Sequence, residues 1–183
     1  MIKKIWSGFT TLLVILVVIL SVLLVGVRLA GFEVFSVLSG SMEPQYSTGD
    51  LLYVRSVDYT TLKAGDVITY MLSEDTIATH RIVEVLPDDE DPSTVRYRTK
   101  GDANGNVDAG LVHYKNVIGT PRFSIPLLGY VANYISAPPG MYVAIGGCAM
   151  LIMMVFLPDL FGKEGKSKEK GKYVGRYERL DER

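Results

Sequence analysis

Val37-Leu38-Ser39-Gly40-Ser41-Met42-Glu43-Pro44, running on to Asp50-Leu51-Leu52-Tyr53-Val54, is the stretch from which the fold is read. The first part is small, turn-forming and rich in hydroxyls. The second is a short apolar run bounded by turn residues, which reads as a strand. A serine on a sharp turn at the mouth of a sheet is where a hydrolase holds a nucleophile. One such serine is common, so its meaning depends on what the rest of the chain brings to it.

Upstream, Met1 to Lys4 carries two lysines, and no charged residue occurs from Ile5 to Val27. That is the length of helix needed to cross a bilayer core. A secretory signal peptide has a shorter apolar region and ends in a small-x-small site. Here Arg28 stands at the exit, in Val27-Arg28-Leu29-Ala30-Gly31, where a small residue would be wanted. Residues 1–31 are therefore expected to be an uncleaved transmembrane anchor.

Downstream, short strand signals follow one another. Phe32 to Leu38 is an extended lead-in, Asp50 to Val57 a strand, Leu62 to Asp66 a turn and Val67 to Met71 a strand. Thr76 to Val85 is the next strand. Strict alternation would put His80, Ile82 and Glu84 on one face and Arg81, Val83 and Val85 on the other. Val83 and Val85 then read as core, with His80 on the more open face, and a local bulge in the strand is the alternative. Leu86 to Thr94 is an acidic, proline-containing segment expected to be a solvated connector. Val95 to Thr99 is a strand, Lys100 to Asp108 a tight loop of Gly, Asn and Asp, and Val117 to Thr120 a closing strand. The expected fold is mostly β: an external domain over residues 32–137, anchored to the membrane by flanking transmembrane helices. Phe123 to Leu157 has no charge, and Pro126, Pro138 and Pro139 break its first half. Residues 138–158 are expected to hold a second transmembrane helix, and 159–183 a charged, solvated tail. Lysines before the first helix and after the second put both termini in the cytoplasm and the β domain outside.

Composition sets outer bounds. The chain has 183 residues, 48% of them hydrophobic, with a net charge of −1. That suits one modest domain with membrane segments and gives no argument for a nucleic-acid partner. Cys148 is the single cysteine, which excludes an intrachain disulfide. With no HExxH or CxxC spacing, neither a metal nor another cofactor is expected.

Three places could hold chemistry. Ser41 is the candidate nucleophile, and a serine hydroxyl needs a neighbouring base. His80 is the best-placed base, because an ordinary imidazole titrates near neutrality. A carboxylate that fixes the imidazole tautomer completes such a pair, and both Asp102 and Asp108 could supply it. Each residue also has an ordinary use, in a turn, a strand or a cap. Lys63, Lys100 and Lys115 are weaker candidates for the base, as is His113.

In combination the segments resemble a known family. Ser39-Gly40-Ser41-Met42-Glu43-Pro44 with Gly49-Asp50-Leu51-Leu52 resembles the serine box of type I signal peptidases. Thr79-His80-Arg81-Ile82 resembles the second box of the endoplasmic-reticulum type, shared with archaea and some Gram-positive bacteria, in which histidine replaces the usual bacterial lysine. Thr99-Lys100-Gly101-Asp102-Ala103-Asn104 with Asp108 is similar to the third box, with Ala103 where the family commonly has asparagine. Gly119 to Gly129 is similar to the closing segment. The resemblance implies a membrane-bound serine endopeptidase that removes signal peptides from exported precursors, cutting after small residues, with no cofactor. It implies that Ser41 attacks, that His80 takes its proton, and that Asp108 orients His80 while Asp102 also serves the site, with these last two roles exchangeable. It implies an oxyanion hole made by the Ser41 N–H with the Ser39 hydroxyl. Its expected partners are signal peptides, the lipid bilayer and further subunits. The rival readings are a non-catalytic membrane-anchored β module of the same fold and a peptidase of narrow substrate range.

Overall fold

The computed structural model describes residues 2–89 and 91–156, so the tail expected over 159–183 lies outside the described residues. The chain forms two compact units. Among the described residues, one joins 2–19 to 139–156, and the other is Leu20–Pro138.

The uncharged N-terminal run is helical. Helix α1 (Ile2–Ser21) continues through a π-helical stretch, Val22–Gly26, into a last turn, α2 (Val27–Leu29). Over Trp6–Leu29 it is long and apolar enough to cross a membrane. Its apolar side chains point outward, with Leu12, Ile15, Leu16, Val22 and Val25 all exposed. A second helix spans Gly140–Phe156 in the same unit as the start of α1, and Tyr142, Ile145, Met150 and Ile152 on it are likewise exposed.

The second unit is built on one antiparallel sheet. Its strands are β1 (Phe32–Ser36), β2 (Leu51–Arg55), β3 (Val67–Ser73), β4 (Thr76–Pro87), β5 (Val95–Lys100), β6 (Leu111–His113) and β7 (Val117–Ile125). They lie in the order β1-β2-β7-β3-β4-β5-β6. The expected closing strand is therefore the last strand in sequence but sits inside the sheet, between β2 and β3. Thr120 to Ile125 pair with β2, and Val117 and Gly119 pair with β3. The strand also runs on past Pro121, which lacks the N–H a ladder needs. A register shift opposite Tyr53 and Val54 accommodates it, with Tyr53 facing Phe123 and Val54 facing Pro121. Gly119 is required where β7 changes partners, because a Cβ there would stand 2.2 Å from the Arg55 carbonyl oxygen.

Two apolar clusters form the core. Leu62, Ile68, Tyr70, Ile82, Tyr97 and Val112 pack under β3, β4 and β5. Met42, Tyr46, Leu52 and Val54 pack under β2, covered by Phe35, Val37, Val67 and Ile118. Between β1 and β2 the chain makes a long loop, closed at its neck by Val37 N–H to the Asp50 carbonyl and Gly49 N–H to the Val37 carbonyl, both 2.9 Å. Tyr53 is fully buried, stacks on Phe123 at 4.4 Å, and donates its hydroxyl to the Leu23 carbonyl in the π-helical stretch at 2.8 Å.

Three expectations are corrected. Ile82 is 1% exposed and belongs to the core, whereas Val83 is 41% exposed and Val85 also lies outside. Ile82 faces Thr99 and Glu84 faces Arg98, so a bulge leaves Val83 without a partner, and the core face of β4 is the one that carries Ile82. Asp88 is not in a solvated connector. It is 3% exposed and accepts from Arg96 Nε at 2.6 Å, with His113 Nε2 3.4 Å away. A charge is buried only when paired, and this pair lets β4 and β5 extend beyond the expected strand ends. Between Pro126 and Pro138 the chain forms a helix, α3 (Leu128–Ser136), where only broken structure was expected.

The bulge has a measurable signature. Ile82→Ala is expected to destabilise the domain by about 2–5 kcal/mol and Val83→Ala by less than about 1 kcal/mol, as read from denaturant unfolding in detergent. An equal or larger loss in Val83→Ala would overturn the placement of Ile82, rather than Val83, in the core.

Candidate active site

Three separate chain segments converge on one polar spot. The β1–β2 loop carries Ser41, β4 carries His80, and the β5–β6 loop carries Asp108. Met42 fixes the first, because its side chain is a buried member of the second core cluster and holds the turn beside Ser41 in place. The Ser41 carbonyl accepts from the Ala103 N–H at 2.9 Å, which ties the serine turn to the β5–β6 loop. That approach requires glycine at 101. A Cβ there would meet the Ser41 carbonyl oxygen at 2.6 Å and the Asn104 amide nitrogen at 2.7 Å.

Ser41 Oγ lies 3.2 Å from His80 Nε2, and His80 Nδ1 lies 2.6 Å from Asp108 Oδ2. A carboxylate accepts, so Nδ1 carries the proton and the Nε2 lone pair faces the serine hydroxyl. Ser41 can then donate to Nε2 while Ser39 Oγ donates to Ser41 Oγ at 3.3 Å. The Ser41 N–H has no hydrogen-bond partner among the described residues. Chemically, this is a serine with a base in reach, the base held in one tautomer, and a free N–H at the same residue.

Asp102 is placed elsewhere. It forms a two-point pair with Arg81, Nε to Oδ1 at 2.8 Å and Nη2 to Oδ2 at 2.6 Å. Arg81 also donates from Nη1 to the Gly65 carbonyl at 2.7 Å and from Nη2 to the Gln45 side-chain oxygen. Hydrogen bonding from Arg81 holds the Asp102 carboxyl below the ordinary carboxylate range. His113 is bound up with Asp88, and Lys115 lies over the Tyr114 ring, so neither stands with Ser41.

Tyr70 has no role in the sequence reading, and Thr99 none beyond its place at the head of the third segment. The Thr99 hydroxyl donates to Asp108 Oδ2 at 2.7 Å, and the Tyr70 hydroxyl lies 3.3 Å from the same oxygen. The usable signal was register: Ile68 faces His80 and Ile82 faces Thr99, so Tyr70 and Thr99 fall diagonally beside the histidine on neighbouring strands.

Comparison with known proteins places the chain in a family. A family model described as "Signal peptidase, peptidase S26" matches residues 9–125. The chain belongs to that family of peptidases. Among curated proteins it is similar to "Signal peptidase I W" of Bacillus subtilis, 39% identical over 112 residues, covering 60% of this chain and 57% of that protein. It is also similar to "Signal peptidase complex catalytic subunit SEC11C" of Rattus norvegicus, 31% identical over 127 residues, covering 63% and 65%. A third relative is "Signal peptidase complex catalytic subunit sec11" of Penicillium rubens, 32% identical over 128 residues, covering 65% and 71%. The chain thus spans less than two thirds of the length of the first two.

Gly101→Ala is expected to push the β5–β6 loop off Ser41, costing about 1–3 kcal/mol of stability in denaturant unfolding and most of any hydrolytic activity. Asp102 predicts an acid effect. Its carboxyl is lowered in the folded state, so its pairing stabilises fully above the unfolded value of 3.8 and is lost as the pH falls below about 4. Solvent screens the pair, which limits the effect to about 0.2–1 kcal/mol. Asp102→Asn should remove that part of the acid dependence, as measured by thermal unfolding between pH 6 and about pH 3.

Proposed function

We propose that this protein is a membrane-anchored serine endopeptidase that removes signal peptides from exported precursor proteins, cutting after small residues. The observation that carries the reading is the unbroken chain from Ser41 Oγ to His80 Nε2 and from His80 Nδ1 to Asp108 Oδ2.

Ser41 attacks the scissile carbonyl while His80 Nε2 accepts its proton. The imidazolium so formed is stabilised by Asp108. The carbonyl oxygen becomes an oxyanion, held by the Ser41 N–H and by the Ser39 hydroxyl after it turns from Ser41 Oγ. Each such donor contributes about 2.7–4 kcal/mol in the transition state. Collapse of the tetrahedral intermediate breaks the C–N bond, and His80 gives its proton to the leaving amine. Water, deprotonated by His80, then hydrolyses the acyl-serine. Asp102 acts at one remove, by keeping Arg81 across the loops that frame the site.

The membrane setting rests on the outward-facing apolar surface of α1 and of the helix Gly140–Phe156. In this reading the chain crosses the bilayer twice, with residues 1–31 and 138–158 as spans, 32–137 outside as the catalytic domain, and both termini cytoplasmic. The substrate is then an apolar helix in the same bilayer, whose cleavage site emerges on the side where Ser41 stands. The rat and Penicillium relatives are named as subunits of a complex, and partner subunits are part of the proposal for this chain as well.

The test is cleavage of a secretory precursor by the full chain in proteoliposomes. Wild type should release the mature product, Ser41→Ala should not, and Asp108→Asn should lower kcat on the order of a thousandfold or more with KM little changed. Equal cleavage by wild type and Ser41→Ala would refute the assignment of the nucleophile.

A further inference from the structure

Asp108 is attached to the frame of the site at few points. It lies in an irregular loop, and its backbone is tied by one hydrogen bond, from its N–H to the Thr99 carbonyl at 2.9 Å. The orientation of its carboxylate therefore depends on the donors around it. Three converge on a single oxygen, Oδ2: His80 Nδ1 at 2.6 Å, Thr99 Oγ1 at 2.7 Å and Tyr70 OH at 3.3 Å. Thr99 is 0% exposed and Tyr70 2%, so water does not substitute for either hydroxyl.

The proton count is restrictive. Thr99 gives its one proton to Asp108. The proton on His80 Nδ1 is also committed to Asp108, so Nδ1 cannot accept from Tyr70, although the two lie 3.4 Å apart. Tyr70 is left with Asp108 Oδ2 or with Thr99 Oγ1 at 3.2 Å. Either way its proton supports the same carboxylate, directly or through Thr99. Burial pushes the Tyr70 phenol above its ordinary value, which keeps it a donor at neutral pH. A phenylalanine would fill the same core position without a buried hydroxyl to satisfy.

We propose that Tyr70 is a positioning residue of this site: together with Thr99 it fixes the Asp108 carboxylate so that one oxygen faces His80 Nδ1, and it acts on Ser41 only through that carboxylate. The inference rests on the peptidase reading above. Tyr70 does not touch the substrate. Its ring, set edge-on to the imidazole at 66° with centroids 6.3 Å apart, also limits how far His80 can swing.

The experiment is steady-state cleavage of a precursor by the full chain in proteoliposomes, with Ser41→Ala as the blank. Tyr70→Phe keeps the ring and removes the hydroxyl. It is expected to lower kcat about tenfold and leave KM within about twofold, the effect of losing one hydrogen bond to a charged group. Thr99→Ser should keep wild-type turnover, while Thr99→Val should lose about tenfold. In an Asp108→Ala background, Tyr70→Phe should cause no further loss, because its effect runs through the missing carboxylate. Wild-type kcat in Tyr70→Phe overturns the inference, as does an undiminished further loss in the Asp108→Ala background, which would mark a general structural role. If Thr99→Val does not fold, the kcat and KM of Tyr70→Phe decide alone. Cleavage by Ser41→Ala at the wild-type rate would instead refute the peptidase reading and leave a different signature from either result.

Discussion

One guanidinium group holds together the loops on which the site depends. Arg81 reaches Asp102 in the β5–β6 loop, the Gly65 carbonyl in the turn before β3, and Gln45 in the serine loop. These segments are far apart in sequence, and Arg81 adds to the backbone bonds that join Gly65 and Asp66 to Ile82 and the serine turn to the β5–β6 loop. A planar fork with five donors can satisfy several acceptors at fixed angles, which a lysine ammonium cannot do. As an ion pair near the surface it contributes little to stability. Its consequence is geometric: the residue beside it on β4 is His80, so the strand that fixes the imidazole also fixes the loops around it.

Adjacent positions on β4 therefore divide the work. His80 turns toward Tyr70 and the core, and Arg81 turns toward the loops. Beyond Ile82 the bulge at Val83 interrupts the pairing that brings Ile82 opposite Thr99, the residue whose hydroxyl reaches Asp108. On the far side of the site, Met42 anchors the serine turn in a cluster of its own. The spot where Ser41, His80 and Asp108 meet is thus built between two apolar clusters, each supporting a different partner. Loss of packing in either one would separate the serine from the imidazole without touching the polar groups.

Much of this was legible in the sequence, and the exceptions share a cause. The strand segments could be read because alternation and turn residues are local signals. The three short motifs could be read because each is contiguous. Val83 was misjudged because which face of a strand packs on the core is decided by the partner strands, and so is the place where a bulge falls. Asp88 looked solvated because its partner Arg96 lies beyond the turn on β5, and a buried ion pair cannot be seen from one half of it. The central place of β7 is a matter of spatial order, which chain order does not carry. Asp102 and Asp108 were equally eligible in sequence, since both sit in one polar loop. Only the fold separates them, giving Arg81 to the first and His80 to the second. Tyr70 and Thr99 read as ordinary strand residues until register brought their hydroxyls together.

The bond from Tyr53 to the Leu23 carbonyl has a consequence for how such a chain can diversify. It clamps the helix to the sheet at the π-helical stretch, close to the strand that supports the serine loop. Everything from that clamp to Ser41 is held in one register. Among the described residues, no hydrogen bond joins the helical turns before Leu23 to the sheet. Their length and composition can change without touching the sheet, while a single insertion between Leu23 and Phe32 would have to be absorbed by the unit that holds Ser41, His80 and Asp108. The molecule is in this sense modular at a seam inside its first helix, well before the point where helix gives way to strand.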